Sequence, residues 1–276
     1  MSEYLLWGPD ETRGQIAVPG PDDDKYSRGV LGVVTGSARY PGAAVLGVEA
    51  ALRTGVGMVR YLGHERPTDL VLRRRPEAVA VPGRVQAWLL GSGMDADSRD
   101  AATAELLETA VSSGLPAVLD AGALDLLPRL SGPAVITPHA GELSRLLGID
   151  RAEITADPAS AAERAAGELG VTVLLKGHST HVAAPDGTRL VAASAPAWLA
   201  TAGSGDALGG VLGALVATHS GSITTGGPEL ARLAASAAVL HGMAGRSAGR
   251  GGPLVVLELA EGVSGVIARL LEAGPG

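Results

Sequence analysis

From Gly29 onward the chain repeats one pattern: a short, mainly apolar run, then a glycine or small polar residue, then a longer segment with helical spacing. The runs occupy 29–35, 56–62, 87–91, 117–120, 134–136 and 171–175. A strand with one face in water alternates apolar and polar residues, whereas a run that is apolar throughout is buried on both faces. Consecutive strands of that kind, each followed by a helix, predict a mainly parallel sheet covered on both sides. The connecting segments fit. Pro41 stands in the first turn of a helix over 43–54, a position proline favours. A second helical segment runs over 97–112, others follow 117–120 and 134–136, and 158–169 is preceded by Asp157 as N-cap. The runs 180–184 and 188–192 flank Pro185-Asp186-Gly187 and predict a hairpin. Helices dominate after Ser204. No stretch has the composition of a linker and no repeat is visible, so one domain spanning 1–276 is expected, with 1–28 irregular.

Composition narrows the partners. Phenylalanine is absent and aromatic residues make up 3 %, so the core must be built from Ala, Val and Leu, and little surface exists for stacking nucleic-acid bases. The net charge of −7 argues against nucleic acid and anionic membranes, though not against a small anion held by backbone N–H groups. There is no cysteine, which excludes disulfides, thiolate metal sites and cysteine nucleophiles. The first eight residues carry no basic group before their short apolar run, unlike a secretory signal. The uncharged stretch 207–228 turns polar and glycine-rich over 218–227, unlike a membrane span. A soluble, cytoplasmic protein is expected.

Ligands of such sheets bind at the carboxyl ends of the strands. Polar and glycine-rich groups fall there repeatedly: Gly36-Ser37, Gly91-Ser92-Gly93, Asp120, the 137–142 segment, the 176–180 segment and the loop ending in Asp206. In Thr201-Ala202-Gly203-Ser204-Gly205-Asp206 the small residues allow the backbone to curl its N–H groups around an anion, and a following helix adds its positive dipole end. Asp206 beside that hole is poorly suited to bind phosphate and well suited to take a proton from a hydroxyl attacking phosphorus. A glycine-rich turn before a core helix is the plainer reading of the same residues.

Lys176 after an apolar strand supplies a point charge for phosphate, with Gly177 permitting close approach; a lysine snorkelling at the strand end is its alternative. His139 could be a base, a hydrogen-bond donor to substrate or a helix cap. Glu142 three residues on suits a capping box or a ligand to magnesium-bound water. Arg73-Arg74-Arg75 and Asp22-Asp23-Asp24 read as solvated surface runs, and 245–252 as a loop after a helix. Neither a Walker-type phosphate loop nor a dinucleotide-binding glycine fingerprint is present.

Taken together, the 201–206 segment resembles the anion hole and base of ribokinase-like proteins. Gly36-Ser37-Ala38-Arg39-Tyr40-Pro41-Gly42-Ala43, Thr137-Pro138-His139-Ala140-Gly141-Glu142 and Leu175-Lys176-Gly177-His178-Ser179-Thr180 look like ADP-dependent NAD(P)H-hydrate dehydratase, over about residues 25 to 268. The resemblance implies a three-layer α/β/α sandwich that removes water from the S form of hydrated NADH or NADPH with ADP or ATP, and Mg2+ as cofactor. It implies Ala43, Gly93, His139 and Asp206 at the hydrated dinucleotide. Lys176, Gly177, His178, Ser179, Thr180, Ala202, Gly203, Ser204 and Gly205 would then hold the adenine nucleotide, with Glu142 as an indirect magnesium ligand. An assembly of like subunits, up to a tetramer, and a separate epimerase acting on the same substrate are implied too. Ala202 and Ser204 replace the glycine and threonine usual in that family, and Gly91-Ser92-Gly93-Met94-Asp95 replaces a Gly-Pro-Gly-Leu-Gly type of loop. The alternative is a ribokinase-like kinase of a small alcohol, of hydroxyethylthiazole or hydroxymethylpyrimidine type. It would share Asp206 but resembles Thr-Pro-Asn where this chain has Thr-Pro-His. A non-enzymatic adenylate-binding regulator would have no use for Asp206.

Overall fold

The computed structural model describes residues 3–192 and 195–273. In chain order the strands are β1 (Leu5–Leu6), β2 (Val30–Val34), β3 (Met58–Tyr61), β4 (Ala87–Leu90), β5 (Ala117–Leu119), β6 (Ala134–Ile136), β7 (Thr172–Leu175), β8 (Thr180–Ala183) and β9 (Arg189–Ala192). They form one sheet in the order β1-β9-β8-β7-β6-β5-β4-β2-β3. Pairing is parallel except at β8, which runs antiparallel to both β7 and β9. The helices are α1 (Pro9–Arg13), α2 (Gly42–Thr54), α3 (Glu65–Arg74), α4 (Ala101–Val111), α5 (Ala140–Leu147), α6 (Arg151–Ala156), α7 (Pro158–Leu169), α8 (Ser204–Thr218), α9 (Glu229–Gly249) and α10 (Val256–Glu272).

Across the central strands β2, β4, β5, β6 and β7 both sheet faces are dry, as the apolar runs require. Leu31, Leu89, Val118, Val135 and Leu174 pack with α2, α8, α9 and α10 on one side. Their neighbours Leu90, Leu119, Ile136 and Leu175 pack with α4 and the α5–α7 segment on the other. The result is a three-layer α/β/α sandwich.

With no phenylalanine available, the layers close by approaching through small residues. Helix α8 meets the sheet and α2 along Gly209, Gly210 and Gly213. A methyl group at Gly213 would stand 3.0 Å from the Leu31 side chain, and one at Gly210 would collide with the Gly47 carbonyl oxygen of α2.

Four expectations are corrected. Residues 1–28 are not wholly irregular: β1 pairs with β9, and the Trp7 amide donates to the Val191 carbonyl at 2.9 Å. A two-residue strand with both leucines exposed has no apolar pattern to betray it, because backbone pairing alone creates it. The 245–252 stretch is not all loop, since α9 continues through Gly249 before Arg250 turns left-handed at φ 47°. Gly245 lies tight against Leu199 and Pro196, so packing overrides the poor helix propensity of glycine. The 97–112 segment breaks: a single 3-10 turn at Ala96–Ser98 precedes α4, which starts where Asp100 caps the Thr103 amide.

The arginine run is not merely solvated. Arg75 and Arg74 close α3 onto Glu49 of α2, whose side chain is wholly buried, with Arg53 adding a third contact at 3.1 Å and Arg74 also reaching Glu261 of α10. Burial alone would raise the Glu49 carboxyl, but hydrogen bonds from Arg75 and Arg53 and the surrounding positive charge hold it below the ordinary value. The partner lies 25 and 26 positions away in sequence, beyond what a charge run can announce.

Gly210→Ala is expected to destabilise the protein by about 1–3 kcal/mol through overpacking. Gly262→Ala, in α10 with open space around it, should instead stabilise by about 0.5–1 kcal/mol. Urea unfolding of both variants checks this; changes of the same sign would refute the close α2–α8 contact as a constraint.

Candidate active site

The carboxyl ends of β2, β4, β5, β6 and β7 converge on one rim, and Asp120 is where they are tied. Just past β5, it is nearly fully buried. One carboxylate oxygen accepts from Thr137 Oγ1 at 2.7 Å and from Lys176 Nζ at 2.9 Å, and the other accepts from Ser92 Oγ at 3.0 Å. Three loops from three strands are therefore held by one side chain. Sequence reasoning placed Asp120 on the rim without assigning it a role. The available signal was an acid ending an apolar strand, which needs partners once buried.

Lys176 extends β7 by a bridge to His139, its amide donating to the Pro138 carbonyl at 2.9 Å. Its ammonium also lies 4.0 Å from Glu142 Oε2. Burial works against the charge, but Asp120, Glu142 and Asp206 outweigh it and keep the Lys176 pKa above the usual lysine value. His139 caps α5, its Nδ1 accepting from the Gly141 and Glu142 amides at 3.0 and 3.2 Å. Glu142 completes the capping box by accepting from the His139 amide at 2.9 Å. The capping reading of this pair therefore holds, while the His139 ring stays exposed on the rim.

Helix α8 starts at Ser204, earlier than the apolar run at 207, so Asp206 belongs to its first turn. Gly203 is the N-cap with φ 90°, a left-handed conformation natural only to glycine, and no side chain caps the helix. The first-turn N–H groups are thus left without capping side chains. Gly205 abuts Lys176, since a Cβ there would lie 3.5 Å from Nζ. On the other side, Gly47 of α2 approaches the Asp206 carbonyl. Burial, with Asp120 adding to it and Lys176 opposing, pushes the Asp206 carboxyl up to about 7. A carboxyl poised there can take up or give a proton at neutral pH.

The remaining sequence-selected residues fall into two groups. Lys176, Gly177, His178, Ser179 and His139 line a cleft of ≈ 500 Å³ together with Arg151, Ile154 and Thr155 of α6. Thr180 does not line it; the residue is buried as the first of β8, opposite Ala192. Ala43 and Gly93 touch each other at the amino end of α2, where any side chain at 93 would collide with the Ala43 methyl. Ala202 is exposed at the loop tip, and Ser204 points inward.

Among the described residues no cluster of three or more His, Asp or Glu could cage a metal. Asp120 and Glu142 both face the Lys176 ammonium. Asp120 has both oxygens engaged by Ser92, Thr137 and Lys176, which leaves Glu142 as the carboxylate there suited to a magnesium ion held through water.

A family model described as NAD(P)H-hydrate dehydratase matches residues 31–255. The bifunctional NAD(P)H-hydrate repair enzyme Nnr of Mycobacterium tuberculosis is 42 % identical over 229 residues, covering 79 % of this chain and 47 % of that protein. The chain thus spans about half the length of that relative. The ADP-dependent (S)-NAD(P)H-hydrate dehydratase of Neisseria meningitidis serogroup B is 36 % identical over 241 residues, covering 81 % and 78 %. Among solved structures, the ADP/ATP-dependent NAD(P)H-hydrate dehydratase of Bacillus subtilis, co-crystallised with ATP and Mg2+, superposes with a TM-score of 0.83 at 25 % identity. That match covers 98 % of this chain and 100 % of the other.

The raised Asp206 carboxyl has a consequence for stability. The fold keeps the proton up to about pH 7, whereas the unfolded chain releases it near 3.8, so folding loses stability as pH rises between these values. Asp206→Asn removes that loss. Its Tm should exceed the parent's at pH 8 and differ much less at pH 4; an equal difference at both would contradict the assigned ionisation.

Proposed function

We propose that this chain, which belongs to the NAD(P)H-hydrate dehydratase family, repairs hydrated NADH and NADPH by ADP-dependent removal of water. The observation that carries this reading is the Asp206 carboxyl, raised to about 7 at the open first turn of α8. A base and an anion hole so placed suit transfer of a phosphoryl group to a substrate hydroxyl.

Asp206 takes the proton of the hydrate's ring hydroxyl as its oxygen attacks the terminal phosphate of ADP. The oxygen–phosphorus bond forms, the bond to the leaving phosphate breaks, and AMP departs. The N–H groups of Gly203, Ser204 and Gly205, with Ala202 shaping the loop tip, hold the charge on the transferring group. Lys176 faces the same phosphates, and Gly177, His178 and Ser179 line the nucleotide's cleft, with Thr180 anchoring them through β8 rather than touching the ligand. The nitrogen lone pair of the hydrated ring then expels phosphate, and loss of a proton from the adjacent ring carbon restores the dihydropyridine. The Ala43–Gly93 contact orients that ring, and His139, which lines the nucleotide's cleft, meets it from that side. Magnesium held through water by Glu142 would neutralise phosphate charge.

The proposal extends to one ribokinase-like domain across the chain, acting in the cytoplasm within an assembly of like subunits. A separate epimerase would convert the R hydrate to the S form. The kinase alternative would release its phosphate ester intact, whereas here phosphate must leave.

Incubating the protein with hydrated NADH, ADP and magnesium should yield reduced dinucleotide, AMP and inorganic phosphate in equal amounts, followed by dihydronicotinamide absorbance and phosphate release. A stable phosphate ester formed from a thiazole or pyrimidine alcohol, with no turnover of the hydrate, would favour the kinase. Asp206→Asn should lower turnover by about 10²–10⁴-fold while retaining nucleotide binding. Lys176→Ala should weaken ADP binding more than binding of the hydrated dinucleotide in calorimetry. The opposite order would exchange the two sides of the cleft.

A further inference from the structure

The first turn of α8 can receive an anion only if its N–H groups stay open, so the loop leading into it cannot be fastened from the front by a capping side chain. It is fastened from behind. Ser204, the first helical residue, turns its hydroxyl into the core, where Oγ lies 3.2 Å from Nε2 of His241 on α9. One helical turn further along the same face of α9, Gly245 receives Leu199: a Cβ at 245 would stand 2.9 Å from Leu199 Cδ2 and 3.4 Å from Pro196 Cγ. Positions 241 and 245 are therefore neighbours on one stripe of α9, and they grip the 196–204 segment at both ends. Within the segment the backbone makes only short local turns, the Leu199 amide donating to the Pro196 carbonyl and the Ala200 amide to the Ala197 carbonyl, both at 3.0 Å. The Thr201 amide donates to the Leu199 carbonyl at 2.8 Å, and the Ser204 amide reaches the Thr201 carbonyl at only 3.3 Å.

From this geometry we infer that His241 is a positioning residue for the anion hole, acting through the Ser204 hydroxyl to set where the first-turn N–H groups point. His241 does not reach the cleft itself; it is buried on α9. Burial also keeps its imidazole neutral at physiological pH, so the contact is a neutral hydrogen bond and not an ion pair. Serine at 204 depends on such a partner, because a free serine hydroxyl is short and rotates among staggered positions. The histidine removes that freedom.

The inference rests on the nucleotide-site reading and is tested by binding alone. ADP with magnesium is titrated calorimetrically into the parent, Ser204→Ala, His241→Ala and the double variant, with Tm measured for each. His241→Ala is expected to weaken ADP binding by about fivefold, the size of one hydrogen bond. The same change made in Ser204→Ala should cost little more, because the bond is already gone. His241→Gln, which keeps a side-chain hydrogen-bonding group, should recover part of the affinity and guards against misfolding of the alanine variant. Losses that multiply in the double variant, or a fall in Tm with unchanged ADP affinity, would overturn the positioning role. Failure of the parent to bind ADP would overturn the nucleotide-site reading, and this inference with it.

Discussion

A carboxylate taken out of water must find its compensation nearby, and Asp120 finds it in three directions at once. Its bonds to Ser92, Thr137 and Lys176 join the loops after β4, β6 and β7 to the end of β5. Lys176 and the segments that carry Ser92 and Thr137 take their position from this. Lys176 is aimed by Asp120 toward the first turn of α8, where its charge lowers the cost of ionising Asp206, while Asp120 itself raises it. Burial raises the Asp206 carboxyl most, and with these two charges set against each other it stands at about 7, where a proton can be passed in either direction. Loss of the Asp120 carboxylate would leave a half-buried ammonium with only the 4.0 Å contact to Glu142 and two hydroxyls without this acceptor, a penalty larger than one hydrogen bond.

The second requirement is proximity, and here composition is part of the mechanism. The α2 and α8 backbones come together because glycines face each other at 47 and 210. That approach brings the amino end of α2, with Ala43, beside the first turn of α8, with Asp206. A core built on phenylalanine would hold these helices further apart. The absence of that residue is thus consistent with a site made from two helix starts and a sheet rim.

Much of this was legible beforehand because it is local. Apolar runs without alternation gave the parallel sheet, Asp157 marked the start of α7, and Pro185-Asp186-Gly187 marked the hairpin. The anion-hole loop and Asp206 stand out through residue type alone. What stayed hidden depends on partners distant in sequence. Glu49 looks like one polar residue on a helix until Arg74 and Arg75 arrive from α3. Strand β1 exists only because β9 offers an edge. Asp120 could be placed on the rim, but its three bonds join segments 17 to 56 positions away, and no spacing rule reaches that far. His241 gave no signal at all, being one polar residue in an alanine-rich helix.

The antiparallel turn between β7 and β8 has a different implication. Most rim segments in this sheet lead into helices, and such connections can lengthen without disturbing the strands. The segment after Lys176 instead reverses directly into β8, with Leu175 opposite His181 and Leu174 opposite Val182. Adding or removing one residue there would slip the pairing and exchange the two faces of β8, taking Val182 from the layer it shares with α8 and α9 and turning the partly exposed, polar His181 into its place. This stretch of the cleft can therefore diversify by substitution but is closed to insertion and deletion. Relatives that recognise different ligands should vary its letters while keeping its length.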